Sequence, residues 1–272
     1  MKKNKVKQYG MKTVYLVLAL LFLCVILFNV FNLLKRIYDH NGTLSDIDEI
    51  NKICPAVDRH DDLSDKIFPP PNNDYWNYIK VPISKFDLKE FKKLNEDTVG
   101  FLSISGTQIN YPVVKSSDNC FYLNHSFKKG ENGAGWVFMD YRNNSEKFDK
   151  NTVIYAHSNL DKTMFGSLSW ALKPEWIHKE NNGIVKFANS SGLSSWKIFS
   201  IYTIPAEKKY IQTDFSSEDK YREWAEEMAK RSKYDLGYKF EKDEKIMTFS
   251  TCYDNINNLR LVVHAKSLDK SI

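Results

Sequence analysis

Cys252 and His157 are the two side chains here whose types and settings suit nucleophilic catalysis, and Arg260 lies eight residues beyond the thiol. A free thiol has a pKa of about 8.5, so only a few per cent is thiolate at neutral pH. It needs a partner that moves or orients its proton, and an imidazole titrates in the right range. A guanidinium stays charged and presents a planar fork of donors to a carbonyl or a developing oxyanion. The bland alternatives are a Cys that is a small buried residue and a His that is structural.

The surrounding residues place these groups at strand ends. Lys245 to Asp254 (KIMTFSTCYD) and Leu259 to Ala265 (LRLVVHA) are rich in strand formers, and Asp254 to Asn258 has turn composition. Cys252 then ends one strand and Arg260 begins the next, at the same end of a sheet. Thr152 to His157 (TVIYAH) is another apolar strand ending on a histidine. The other histidines are weaker candidates. His40 and His60 lie outside the strand-rich region, His125 is in a loop and His178 in a surface-like segment. His264 reads as a strand residue facing solvent or a neighbour.

The cysteines are Cys24, Cys54, Cys120 and Cys252, with no Cys-x-x-Cys pair, and no histidines have metal-ligand spacing. No metal and no cofactor is expected. A Cys54–Cys120 bridge is left open, since spacing alone does not decide it. With 42% hydrophobic and 27% charged residues the chain is globular in composition. Its net charge of +5 is concentrated in the first dozen residues, which hold five lysines and no acid. No nucleic-acid partner is indicated.

Residues 1–12 read as a basic cytoplasmic tail and 13–34 as an uncharged transmembrane anchor, long enough to cross a bilayer. Lys35-Arg36 follows the span instead of a small-residue cleavage site, which argues against a removed signal peptide. The lysines before the span put the N-terminus in the cytoplasm and the remainder outside. Residues 35–84 read as a helical and linker segment, with Ile37, Ile47 and Ile50 at spaced positions, an end at Cys54-Pro55 and a linker at Pro69–Pro71. The main domain is 85–272. A short helix at 88–94 leads into about eight strands: 100–104, 109–114, 135–139, 151–155, 183–187, 195–202 and the two around Cys252. This pattern suggests a closed β-barrel or a sandwich. A helix at 216–231 interrupts it, with an N-cap serine and Tyr221, Trp224, Ala225 and Met228 on one packing face.

These features together resemble the class B sortases, cell-wall cysteine transpeptidases of Gram-positive bacteria. The resemblance rests on the anchor, Tyr-Ala-His157, Thr248-Phe-Ser-Thr-Cys252 and Leu-Arg260-Leu-Val-Val. It extends to the stretch from Val99 to Val114, Phe121 to His125, Phe138-Met-Asp-Tyr-Arg142 and Met164 to Leu168. It implies a sortase-like closed β-barrel, and it implies catalytic roles for three residues. Cys252 would form a thioester at the threonine of a C-terminal sorting signal, His157 would transfer protons, and Arg260 would stabilise the oxyanion. Ser250, Thr251 and Tyr253 are expected to line the groove, and Asp254 is a candidate to orient His157. The implied partners are surface proteins bearing a sorting signal and the amine of a peptidoglycan precursor. Ala156 stands in place of the frequent glycine, and Phe249 in place of a leucine. A cysteine hydrolase, a pilin-polymerising sortase and a non-enzymatic tethered binding module remain as rival readings.

Overall fold

The computed structural model describes the backbone of residues 2–53, 87–179, 182–254 and 258–268, with side chains for all of these except 2–13 and 252–254. Expectations for Cys54, His60, the Pro69–Pro71 linker and the Tyr253 and Asp254 side chains lie outside the described residues.

Helix α1 runs unbroken over Lys2–Ile53. Its apolar stretch has a mean hydropathy of 2.9 over 18 residues with none of it buried, so it is long and apolar enough to cross a membrane. Beyond it the helix changes character and packs on the domain. Asn132 Nδ2 donates to the Asp39 carbonyl at 2.9 Å and to Thr43 Oγ1 at 3.0 Å. Gly133 N donates to Asp39 Oδ2 at 3.1 Å. Ile50 is 1% exposed and belongs to the main core, with Ile47 partly buried beside it. Ile37, the first of the three spaced isoleucines, is exposed and precedes Asp39, where the described contacts with the barrel begin.

The eight strands are β1 Thr98–Ile104, β2 Asn110–Val114, β3 Phe138–Met139, β4 Asn151–Tyr155, β5 Ile184–Asn189, β6 Gly192–Pro205, β7 Ile246–Asp254 and β8 Leu259–Ser267. They close into a barrel in the order β1-β2-β3-β4-β7-β8-β6-β5. The helices after α1 are α2 Leu88–Leu94, α3 Pro174–Ile177 and α4 Glu218–Lys230. Seven of the strands match the expected ones closely. The third is shorter: Gly135 to Val137 does not join β3. Trp136 N instead bonds the Tyr122 carbonyl at 2.9 Å, and Gly135 takes φ +60°. The Gly135 and Trp136 amides are engaged by the loop before them and are not free for a ladder, while the Val137 carbonyl accepts from Val114 N of β2 at 3.2 Å.

Strand alternation sorts side chains to two faces. Ile154, Met247, Phe249, Leu261, Val263 and Ala265 fill the barrel interior. Ile246 and Val262 face outward, under α4. That helix starts from Ser217, whose side chain accepts from Lys220 N at 3.2 Å, and it buries Tyr221, Trp224, Ala225 and Met228 as its spacing predicts. Two of those are aromatic, each burying roughly 150–250 Å², so α4 is anchored firmly over the outer face of β7 and β8.

Candidate active site

Three neighbouring strands bring the expected residues to one end of the barrel. β4 pairs parallel with β7 up to Tyr155↔Ser250, and Ala156 N continues the ladder to the Ser250 carbonyl at 3.5 Å. His157 and Cys252 each lie two residues beyond that pair. β7 pairs antiparallel with β8, and Cys252 stands directly opposite Arg260. Position 252 thus sits on the middle strand, with His157 at the end of one neighbour and Arg260 at the start of the other. A bulge between Cys252 and Asp254 ends the regular ladder there.

His157 is half-buried, and its Nε2 lies 2.7 Å from the Leu123 carbonyl oxygen. A carbonyl only accepts, so Nε2 carries the proton, and in the neutral ring Nδ1 is the nitrogen free to take one. The Leu123 carbonyl belongs to a short 3₁₀ turn, Phe121–Leu123, and Gly135 lies against the same turn. A Cβ on Gly135 would fall 2.7 Å from the Tyr122 carbonyl oxygen and 2.8 Å from His157 Cδ2. Only glycine takes this φ and this closeness at no steric penalty. Residue types alone do not expose a backbone carbonyl as the histidine's partner. The nearest signal was the Phe121 to His125 stretch.

The floor beside the nucleophile strand is polar and buried. Ser250 is 4% exposed, and its Oγ lies 3.2 Å from the Tyr210 hydroxyl. Thr251 alternates to the side of Met247 and Phe249, and its Oγ1 is buried with no partner among the described residues. Thr248 Oγ1 donates to Asn151 Oδ1 at 2.6 Å and sits 2.8 Å from His264 Nδ1, and His264 Nε2 lies 2.9 Å from the Tyr202 hydroxyl. Since Thr248 gives its proton to Asn151, it accepts from Nδ1–H, and Tyr202 donates to Nε2. Of the two expected placements of His264 on its strand, facing solvent or facing a neighbour, the structure shows the second. This histidine is fully buried beneath α4, and burial first, then the Arg231 charge, pushes its pKa down to about 3. His264 is a structural histidine. His125 stacks on Phe121, and His40 pairs with Asp161 at 2.8 Å.

Comparison with known proteins agrees with this geometry. A family model described as a sortase domain matches residues 102–268. Sortase B of Listeria monocytogenes is 34% identical over 188 residues, which are 68% of this chain and 75% of that protein. Sortase B of Staphylococcus aureus is 34% identical over 185 residues, 67% of this chain and 75% of that one. Among solved structures, Clostridium perfringens sortase B superimposes with a TM-score of 0.63 at 31% identity, covering 67% of this chain and 100% of that chain. A Staphylococcus aureus sortase B–substrate complex gives 0.62 at 34%, covering 67% and 84%.

Proposed function

Because the chain belongs to the sortase family and is a cysteine transpeptidase of the sortase B type, we propose that Cys252 is its nucleophile, His157 its proton carrier and Arg260 its oxyanion partner. The observation that carries this reading is the register of β4, β7 and β8, which puts the three positions side by side.

In the proposed reaction the Cys252 thiol passes its proton to His157 Nδ1, and its sulfur attacks the threonine carbonyl of a C-terminal sorting signal, the S–C bond forming as negative charge gathers on the carbonyl oxygen. Arg260 supplies charge-assisted donors to that oxygen. His157 then gives its proton to the leaving amine as the C–N bond breaks, leaving a thioester. An incoming amine attacks the thioester, the S–C bond breaks to release the Cys252 thiolate as the amide forms, and the amine's proton passes to His157. The Leu123 carbonyl keeps the imidazole oriented through both half-reactions. Ser250, Thr251 and Tyr253 flank the nucleophile and contribute to the groove, with Thr251 bringing a hydroxyl that has no partner among the described residues. The substrates are surface proteins carrying a sorting signal, and the acceptor is the amine of a peptidoglycan precursor. The apolar part of α1 anchors the enzyme with its N-terminus in the cytoplasm, so the barrel works where wall precursors arrive.

The test is product partition. The full chain in detergent micelles is incubated with Asn-Pro-x-Thr-x and Leu-Pro-x-Thr-Gly peptides, with and without an amine. An amide product that rises with amine concentration supports transpeptidation. Acid product alone, whatever the amine, makes the enzyme a hydrolase. Preference for a protein lysine over a wall-type amine makes it a polymerising sortase.

A further inference from the structure

The Phe138 to Arg142 stretch carries an ion pair that the reaction itself does not use. Asp140 is fully buried just after β3, and its carboxylate takes five hydrogen bonds. Arg142 gives three of them: its backbone N at 3.0 Å, Nε at 2.8 Å and Nη2 at 2.7 Å. Tyr155 OH donates at 2.8 Å and Asn119 Nδ2 at 3.0 Å. Burial alone would push the Asp140 carboxyl up, but the Arg142 donors and charge outweigh it and hold it below the usual range. Tyr155 belongs to the strand that ends on His157, and it pairs in register with Ser250.

The Arg142 guanidinium, so oriented, also reaches the chain between β6 and α4. Nη2 donates to the Ile211 carbonyl at 3.0 Å. Ile211 closes a single 3₁₀ turn, Lys209–Ile211, between β6 and α4. Side chains from two other elements hold the same turn: Trp224 Nε1 of α4 bonds the Lys209 carbonyl at 2.8 Å, and Asn151 Nδ2 of β4 bonds the Gln212 carbonyl at 2.9 Å. The turn carries Tyr210, whose hydroxyl meets Ser250 two residues before Cys252. A turn with this little regular structure of its own is placed by these side-chain donors, and the strongest of them is the charged one.

We propose that Arg142, locked on Asp140, is a positioning residue: it holds the Lys209–Gln212 turn at a set distance from the nucleophile strand and so sets the width of the groove that receives the sorting peptide. This rests on the transpeptidase reading of the site. The Arg142 side chain bonds Asp140 and the Ile211 carbonyl, and among the described residues it has no hydrogen bond to the His157 imidazole. Its loss changes how the peptide is held, not how the bond is cleaved.

Two measurements test it on the full chain in detergent micelles: steady-state kinetics with an Asn-Pro-x-Thr-x peptide and an amine, and amide hydrogen exchange across residues 206–215. Arg142→Ala is expected to raise the peptide KM by about tenfold with kcat within about twofold. Its 206–215 amides should exchange faster. Arg142→Lys keeps the charge but loses the fork, and should fall between the two. Unchanged KM, or a fall in kcat at constant KM, overturns the proposal. If the wild-type chain turns over no sorting peptide, the transpeptidase reading has failed, and exchange alone decides the clamp: unchanged protection of 206–215 overturns it. Should Arg142→Ala fail to fold, Arg142→Gln is read by the same two measurements.

Discussion

At the residue scale the site depends on how His157 is held. Its ring is trapped between the Leu123 carbonyl and Gly135, and the glycine is there because nothing larger fits. Gly135→Ala puts a methyl 2.8 Å from the imidazole at a backbone angle that L-residues rarely adopt. It should lower kcat/KM by about 10²-fold, the size expected when a reacting group is displaced by about an ångström. The check is kinetic, with circular dichroism confirming that the barrel persists. Arg260 gives a second prediction. Arg260→Lys keeps the charge but loses the planar donors, and kcat should drop by about 10²-fold with little change in KM. A loss confined to KM would assign Arg260 to peptide binding in the ground state.

At the element scale the three site strands are tied together, along the same face and further from their site ends, by the Asn151–Thr248–His264–Tyr202 seam. Its histidine is neutral in the folded protein, with a pKa near 3 against an ordinary value of 6.5. Between those values the unfolded chain binds the extra proton, so stability falls as pH falls through this window. At pH 4.5 the loss from this group is roughly 3 kcal/mol. Asp46 and Glu244, whose carboxyls burial holds above their usual range, act in the opposite direction. The quantity to measure is therefore the difference between wild type and His264→Gln in urea unfolding at pH 7 and pH 4.5, and the variant should show the flatter profile. Helix α1 makes its own prediction. Ile50 is 1% exposed in the main core, so Ile50→Ala should destabilise the barrel by about 2–4 kcal/mol. An unchanged urea midpoint would mean that the helix does not dock.

At the scale of the whole molecule, α1 joins an apolar span to the catalytic barrel without a break, and the Asp161 carboxylate, four residues after His157, pairs with His40 on that helix. The apolar N-terminal helix, the barrel and the strand-end placement of Cys252, His157 and Arg260 were all legible in the sequence, because strand propensity, turn residues and apolar length are local signals. Other parts were not. The Leu123 carbonyl has no residue type to announce it, and the Ile211 carbonyl is reached by an arginine 69 residues away. The burial of His264 depends on α4 lying over it, and no pattern within β8 records that. The proposed chemistry turns on one covalent bond. The measurement that tests it most directly is intact-protein and peptide mass spectrometry of the full chain in micelles after incubation with a sorting peptide. An acyl adduct ending in threonine is expected on Cys252, absent in Cys252→Ala and discharged as an amide when an amine is added. An adduct on another residue, or peptide cleavage that persists in Cys252→Ala, would contradict it.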